Sequence, residues 1–591
     1  MPGPQSIVSH LYIKIAGAPI ADEVLRQVTE VTVDQQVHLP SMFTIRLADP
    51  DLKLLDGDLF TVAKPIEIVG ETEDQKEILL MDGEITAIEP EFDEGMIAEL
   101  QVRGYDKLHR LYRTVRSKTY LNVKDSDLAN EIAQNAGLTA EVDATRTVYD
   151  HLYQDNQSDL HFLMQRAWRI GYACYITAGK LVFRKPTTEA ASVTLTWGDD
   201  LLAFRPRMTL AEQVEEVVVR GWDVRKKSAI VGRETQGKLY PELEGPKAKE
   251  TGGELTKKLG GGSKVVVVDQ PVVSQAEADI LAAARLNEIS GNFIEAEGKA
   301  YRRPEIRAGE RVKLEALGKR FSGTYLVTSA THLYTDAGFT TTFHVTGART
   351  ELLTDQLHAH QRLSRRNGLA SAIVTNTDDP NTWGRVKVKY PWMADDEESD
   401  WVRVAAAGAG PDAGFSTIPA VDDEVVVGFV HGDFNQPIVL GGLWNGQDQL
   451  PPPTAQAPAG EKPLVRSWHS RSGHQITVYD NADDKIEVQT AAGRLLILND
   501  AENQIAIVSK DGQLTITLDD SGRELLIKSG GKVTVQADSE IQVEASGNLN
   551  LKAGGNLQIE AQGNLQLQAT GRASVSSAAM VGLSAPQISL G

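Results

Sequence analysis

Cysteine is almost missing from this chain: Cys174 is the only one in 591 residues. That excludes an intramolecular disulfide framework, and a single thiol builds no metal site. Long apolar runs are also missing; none approaches the roughly eighteen uninterrupted residues of a membrane-spanning helix. Aromatic residues make up only 6% and glycines number 51, the balance of a β-rich chain full of turns. Positive charge is in deficit. The net charge of −21 argues against a nucleic-acid partner, because a phosphate-binding face is basic. Met1-Pro-Gly-Pro-Gln-Ser6 lacks a basic start followed by an apolar stretch. The expectation is therefore no Sec-type signal, synthesis in the cytoplasm, and export only if something else carries the protein. No Gly-x-Ser-x-Gly, no P-loop and no cysteine paired with a base is present, so we expect no enzyme and no cofactor.

What is there counts in eights. Gly547-Asn-Leu-Asn-Leu-Lys-Ala-Gly is followed by Gly555-Asn-Leu-Gln-Ile-Glu-Ala-Gln and Gly563-Asn-Leu-Gln-Leu-Gln-Ala-Thr, and the register extends to both sides. Each unit carries two apolar residues two apart, then a small residue, then a break. Such alternation marks a strand with one buried face, and the fixed period marks strands stacked along an axis. The predicted inward residues are Val533, Val535, Ile541, Val543, Leu549, Leu551, Leu557, Ile559, Leu565, Leu567 and Val575. Eight octads fit between Arg523 and Pro586. Wound as one chain with about three faces per turn, they give fewer than three turns, near the lower limit for stacked repeats. Three identical chains, each giving one face per turn, explain both the short length and the lack of a super-period. The expectation is an intertwined homotrimeric needle; a short monomeric β-helix or a flat sheet is the alternative.

Four regions are expected: 1–365, 366–447, 448–465 and 466–591. The first alternates strands (Leu11–Ile15, Glu30–Val37, Phe43–Leu47, Glu84–Ile88, Ala98–Arg103, Val214–Arg220) with helices at Ser126–Gln134, Ser158–Gly171 and Ser274–Ile289. Asp125 or Ser126 reads as the cap of the first helix. Leu243–Ser263 reads as a mobile loop, and Gln361–Gly368 as a basic closing stretch. Five short strands in 366–447 suggest a small barrel of the oligonucleotide/oligosaccharide-binding (OB) type. The proline-rich 448–465 reads as a stiff connector. Beyond it, strands at about ten-residue spacing tighten into the octads.

Candidate sites are few. His358 and His360 read as solvated linker histidines rather than ligands, and His469 and His474 have no carboxylate at ligand spacing. Asp395–Asp400 lacks the alternating ligands and glycine of a calcium loop and reads as a solvated loop. Trp383, Tyr390, Trp392 and Trp401 could stack bases, but barrel core or contact with neighbouring subunits fits the charge better. From Ala561 to Gly591 the only charged side chain is Arg572. Either ladders of like charge are avoided in stacked chains, or a neutral end crosses lipid or docks a cap. Gln587, Ile588, Ser589, Leu590 and Gly591 finish flush with the last octad and are the expected docking residues for such a cap.

Trp383-Gly-Arg-Val-Lys-Val-Lys-Tyr-Pro-Trp392, Ser399-Asp-Trp-Val-Arg-Val404 and Asp422–Gly446 together resemble the OB module of the VgrG/phage-baseplate central spike family. Tyr153–Leu163 resembles that family's hub helix, and Phe321–Tyr334 a late strand pair of the hub. Tyr390-Pro-Trp-Met and Leu443-Trp-Asn-Gly are closer in style to the spikes of extracellular contractile injection systems. The resemblance implies a mainly β fold with some α: a hub of two similar barrels per chain, an OB neck and a triple-stranded β-helix needle. It implies a structural, puncturing homotrimer in a phage tail-like particle, which can be released outside the cell. The implied partners are inner tube and baseplate proteins at the hub, a PAAR-type cap at the tip and, transiently, a target membrane. No lysozyme-like domain is expected between barrel and needle, and no effector domain after Gly591. The rival readings are a tailspike-like β-helix that binds or cleaves polysaccharide, for which Glu560 is the only acid between Gly547 and Gly591, and an OB-fold nucleic-acid binder.

Overall fold

The computed structural model describes residues 11–589 apart from 73, 95–96, 188–189, 224, 246–249, 348–367, 394 and 453–463. His358, His360 and the basic stretch to Asn367 therefore lie outside the described residues, as do most of the proline-rich connector, Leu590 and Gly591. The chain divides into two compact units, Met1–Gln449 and Leu450–Gly591.

The first unit is built on one eleven-stranded sheet. Its first half holds Leu11–Ile15, Val28–Gln36, Met42–Ala48, Pro65–Glu71, Glu77–Asp93 and Ile97–Asp106. Alternating burial along these strands sends Val31, Val33, Phe43, Ile45, Ile66 and Ile68 into one apolar core. The second half holds Leu201–Met208, Ile294–Tyr301, Ser329–Thr335 and Gly338–Val345, which close over a separate core around Leu314, Tyr325 and Phe343. The halves join where Ser329–Thr335 pairs antiparallel with Val28–Gln36, Ser329 facing Gln36 and Thr335 facing Glu30. Two half-barrels thus share a seam paired without a register shift from Ser329 to Thr335.

Each half carries an α/β insertion. In the first, Asp159–Ile170 forms because Leu160, Phe162, Leu163, Met164 and Ala167 share one face, and all are buried. The Ser158 hydroxyl accepts the His161 N–H at 3.2 Å, and Gly171 at φ 70° closes the helix. Tyr153–Leu163 is therefore not one helix. Its first six residues finish the strand Tyr149–Ser158, where Leu152 and Tyr153 are buried, and the helix starts only after the Ser158 cap. The helix Asp125–Asn135 is preceded by Lys124, not by a side-chain cap at Asp125 or Ser126. The Asp125 carboxylate is occupied elsewhere, bound at 2.6 Å by buried Arg166. In the second insertion, Gln275–Gly291 covers one face of a three-stranded sheet through Ala278, Leu281, Ala282 and Leu286.

Two further readings change. Leu243–Ser263 contains the short helix Gly252–Thr256, started by a capping box in which Thr251 Oγ1 accepts the Glu254 N–H and Glu254 accepts the Thr251 N–H. The surrounding glycines conceal that Thr-x-x-Glu signal. Gly323–Leu326 and Ser329–Thr335 follow one another but belong to different sheets, the first paired with Arg311–Glu315 and the second with the central sheet.

Five strands form the OB sheet, in the order Lys387–Lys389, Leu369–Asn376, Glu424–Phe429, Pro437–Gly442, Arg403–Val404. Its two outer members are joined by the Val386–Val402 bridge, with hydrogen bonds of 3.0 and 2.7 Å, so the sheet closes into a barrel. Val374, Val388, Val425, Val427 and Val439 fill it.

Candidate functional site: an uncovered apolar ladder

The second unit begins as a seven-stranded antiparallel meander from Val465–His469 to Glu524–Ser529. Glu524–Ser529 pairs with Leu514–Asp519. The octad count that starts at Arg523 therefore begins too early, because this segment still belongs to the hairpin series. Strand register places Trp468, Ile476, Val488, Leu496, Ile507, Ile516 and Ile527 opposite one another in a row. A second row on the same face runs Val478, Ile486, Leu498, Ile505, Leu518, Leu525. In a globular protein this face would be covered. Here it is open: Ile507 is 51% and Leu525 61% exposed.

The opposite face is mixed: Leu495 pairs with Val508 and Ile497 with Ala506, among polar residues that bond one another. Gln475 bonds Gln489, Tyr479 donates to Glu487 at 3.3 Å, and Lys485 pairs with Glu487 at 2.9 Å while lying over the Tyr479 ring. Thr477 on that face has no exposure at all. An apolar surface of this extent facing solvent marks an interaction site.

From Gly531 to Ser589 the chain is extended, and among the described residues it makes no backbone–backbone hydrogen bond with itself. Gln542 reaches Glu544, Gln558 reaches Glu560 and Gln566 reaches Gln568 at 3.4–3.5 Å, so these polar residues share one face two residues apart. Ile541, Val543, Leu557, Ile559, Leu565 and Leu567 alternate with them. Val533, Val535, Leu549, Leu551 and Val575 fall at the same octad positions. Within a single chain all eleven are exposed, Leu567 at 84%. Unpaired peptide groups beside an apolar stripe are two deficits that one kind of partner, another strand of the same pattern, repairs together. At the end, Gln587, Ile588 and Ser589 are exposed.

The other candidates are absorbed by structure. Tyr390 is buried in the barrel core, stacked on Trp392 at 5.1 Å. Arg385, gripped by Asp379 through two nitrogens, lies over Trp383 and Trp401 at 5.0 and 5.9 Å. Asp395–Asp400 is not simply solvated: Glu398 binds Lys387 at 2.6 Å and Thr375 at 2.8 Å, and Glu397 accepts the Thr119 N–H at 2.8 Å. Lysines of the neighbouring strand account for two of the acids, Lys387 for Glu398 and Lys389 for Asp395. His474 Nδ1 accepts the Ala491 N–H at 3.2 Å, which leaves it a turn residue. Sequence reasoning missed the contact between first insertion and OB barrel altogether. There Tyr153 stacks on Phe434 at 4.6 Å, and its N–H donates to Asn435 Oδ1 at 2.9 Å.

Two half-barrels, an OB barrel and a strand-repeat rod with an uncovered apolar face define a central spike protein of the baseplate type. A family model described as the Alg8 N-terminal domain matches residues 5–336, and one described as the type VI secretion system/phage-baseplate injector OB domain matches 370–444. The Pseudomonas aeruginosa type VI secretion system spike protein VgrG1a is 29% identical over 157 residues, 25% of this chain and 24% of that protein. Spike protein VgrG1b from the same organism is 27% identical over 227 residues, 32% of this chain and 30% of that protein. These matches span under a third of either relative's length. The E. coli c3393 protein, a type VI secretion system component, superposes with a TM-score of 0.47 at 13% identity, covering 73% of this chain and 99% of that one. The chain belongs to the Alg8 N-terminal domain family, whose model matches more than half of it, and to the VgrG/phage-baseplate central spike family.

Proposed function

We propose that this protein is the non-enzymatic, homotrimeric spike of a contractile injection apparatus, joining an inner tube at its hub to a needle that punctures the target envelope. The observation that carries this reading is the pair of deficits in the second unit, an open apolar face and unpaired backbone. Three copies that turn Ile476, Ile507 and Leu565 toward a common axis cover the first and pair the second. Main-chain ladders across chains resist bending under load. The same reading places tube and baseplate proteins against the hub, a PAAR-type cap at Gln587–Gly591 and a membrane in passing contact with the neutral tip. It involves no nucleic acid. The protein would be made in the cytoplasm and work as part of a phage tail-like particle, in the cell or released from it. Sedimentation of the full chain is the test. The expected species has three times the 64.3 kDa chain mass and survives heat and detergent; a stable monomer overturns the proposal.

A further inference from the structure

In the hairpin of Glu77–Asp93 and Ile97–Asp106 the first strand runs on past its outer neighbour, which pairs only as far as Glu84, while the second stays beside Met42–Ala48 as far as Glu99. Near its end Phe92 is 64% exposed, beside exposed Glu91, Asp93 and Glu94. None of these three carboxylates pairs with a cation among the described residues. The base of the same hairpin walls an open cleft of about 1120 Å3, bounded on its other side by the first insertion. Tyr105, Tyr112, Met164 and Trp168 line it, and Tyr112 is 66% exposed. Its charge is the reverse of the hairpin's. Glu84 is consumed by Arg110 and by His109 at 2.9 Å, while Arg113 makes no ion pair among the described residues. In a chain of net charge −21 a cleft with surplus cation stands out.

We propose that the acidic, phenylalanine-bearing hairpin end of one copy occupies this cleft in a neighbouring copy, with Phe92 against the tyrosines and the carboxylates facing Arg113. The chain's own hairpin cannot fill it. Ile85 lies in the cleft wall, and the seven residues from there to Phe92 span roughly 23 Å of paired, extended strand pointing away. The contact joins two different surfaces of one protein, and such a head-to-tail contact either closes into a ring or runs on as a filament. It rests on the trimer reading, in which three contacts close the ring around the hub, independently of the needle. An aromatic anchor in a pocket with charges at the rim is the arrangement that concentrates binding energy at interfaces.

The test is cross-linking in the full chain, where buried Cys174 gives no background. The double variant Phe92→Cys/Tyr112→Cys, oxidised, should shift on a non-reducing denaturing gel from the single-chain to the three-chain band, and neither single variant should. Hydrogen exchange supplies a readout without cysteines: amides of Glu91–Glu94 exchange more slowly in the wild-type assembly than in Arg113→Glu, which keeps only the protection of the hairpin's own pairing. Sedimentation run alongside separates the two readings. A trimer with neither cross-link nor added protection overturns the hairpin contact alone and assigns the hairpin to another component, whereas a monomer overturns both.

Discussion

Arg169 and Glu277 lie 108 residues apart, on the long helices of the two insertions, and meet at 2.7 Å with almost no exposure. Arg169 also donates to the Pro271 carbonyl at 2.6 Å, so its charge is enclosed by acceptors. Removing one partner leaves the other charge buried and unpaired. Glu277→Gln should therefore cost about 3 kcal/mol, read as a lower denaturant midpoint of the first unit, while exposed Arg205→Gln changes little. Two histidines set a pH dependence. Burial pulls His151, on the strand that meets the OB barrel, from the ordinary 6.5 down to about 4, opposed by Asp400 and assisted by Lys387. Burial likewise pulls His332 down to about 3, with Arg307 adding to the effect. Both are held neutral when folded, so the unfolded chain takes up protons first. The stability they contribute is complete above pH 6.5 and falls as pH drops toward 4. Replacing His151 by Gln should flatten the stability–pH slope between those limits by up to about 1.4 kcal/mol per pH unit; an unchanged slope would place the histidine in solvent.

At the scale of elements, much was legible. The strand Leu11–Ile15 falls where alternation predicts it, and Phe43–Leu47 lies within the observed Met42–Ala48, because local pattern and tertiary environment agree there. What escaped were features that alternation does not encode: the capping box at Thr251, the strand ending at Ser158, and the turns of the meander. Those turns take two forms in alternation, one with glycine at positive φ (Gly473, Gly493, Gly512), the other with Asp484, Asn503 and Arg523. The ten-residue spacing is therefore half of a two-strand repeat. The two faces of these strands make a sharp expectation. In the proposed trimer, Ile507→Asp and Leu565→Asp would bring three like charges together at the axis, each costing several kcal/mol unless protonated, and should abolish the heat-resistant oligomer that the proposal expects. Thr515→Lys and Gln566→Lys, on the opposite faces of their strands, should leave it intact. Equal sensitivity of the two faces in a melting assay would mean that the apolar rows do not meet a partner.

At the scale of the whole molecule, the single chain is unfinished. Its first unit has closed cores and paired strands; its second exposes two apolar rows and, among the described residues from Gly531 to Ser589, makes no backbone–backbone hydrogen bond with itself. Stability of the second unit is therefore a property of the assembly and should depend on protein concentration during refolding. The end poses its own question. In the proposed trimer, three exposed copies of Ile588 form an apolar patch that a cap would cover. Deleting Gln587–Gly591 should leave the oligomer intact and abolish retention of a small cap protein in co-purification; equal retention by both forms would move the docking surface elsewhere.

The strand alternation, the octad period and the OB barrel motifs were determined by the sequence alone, since each depends on residues within a few positions or on a repeated local pattern. Only the tertiary structure decided that the half-barrels share one seam at Ser329–Thr335, that Asp125 serves Arg166 instead of capping a helix, and that Tyr153 stacks on Phe434. Each of these joins residues far apart along the chain, and no local period records which distant side chain will take up a carboxylate or cover a ring. The physical difference is one of range: alternation registers that a face will be buried, and packing alone settles against what.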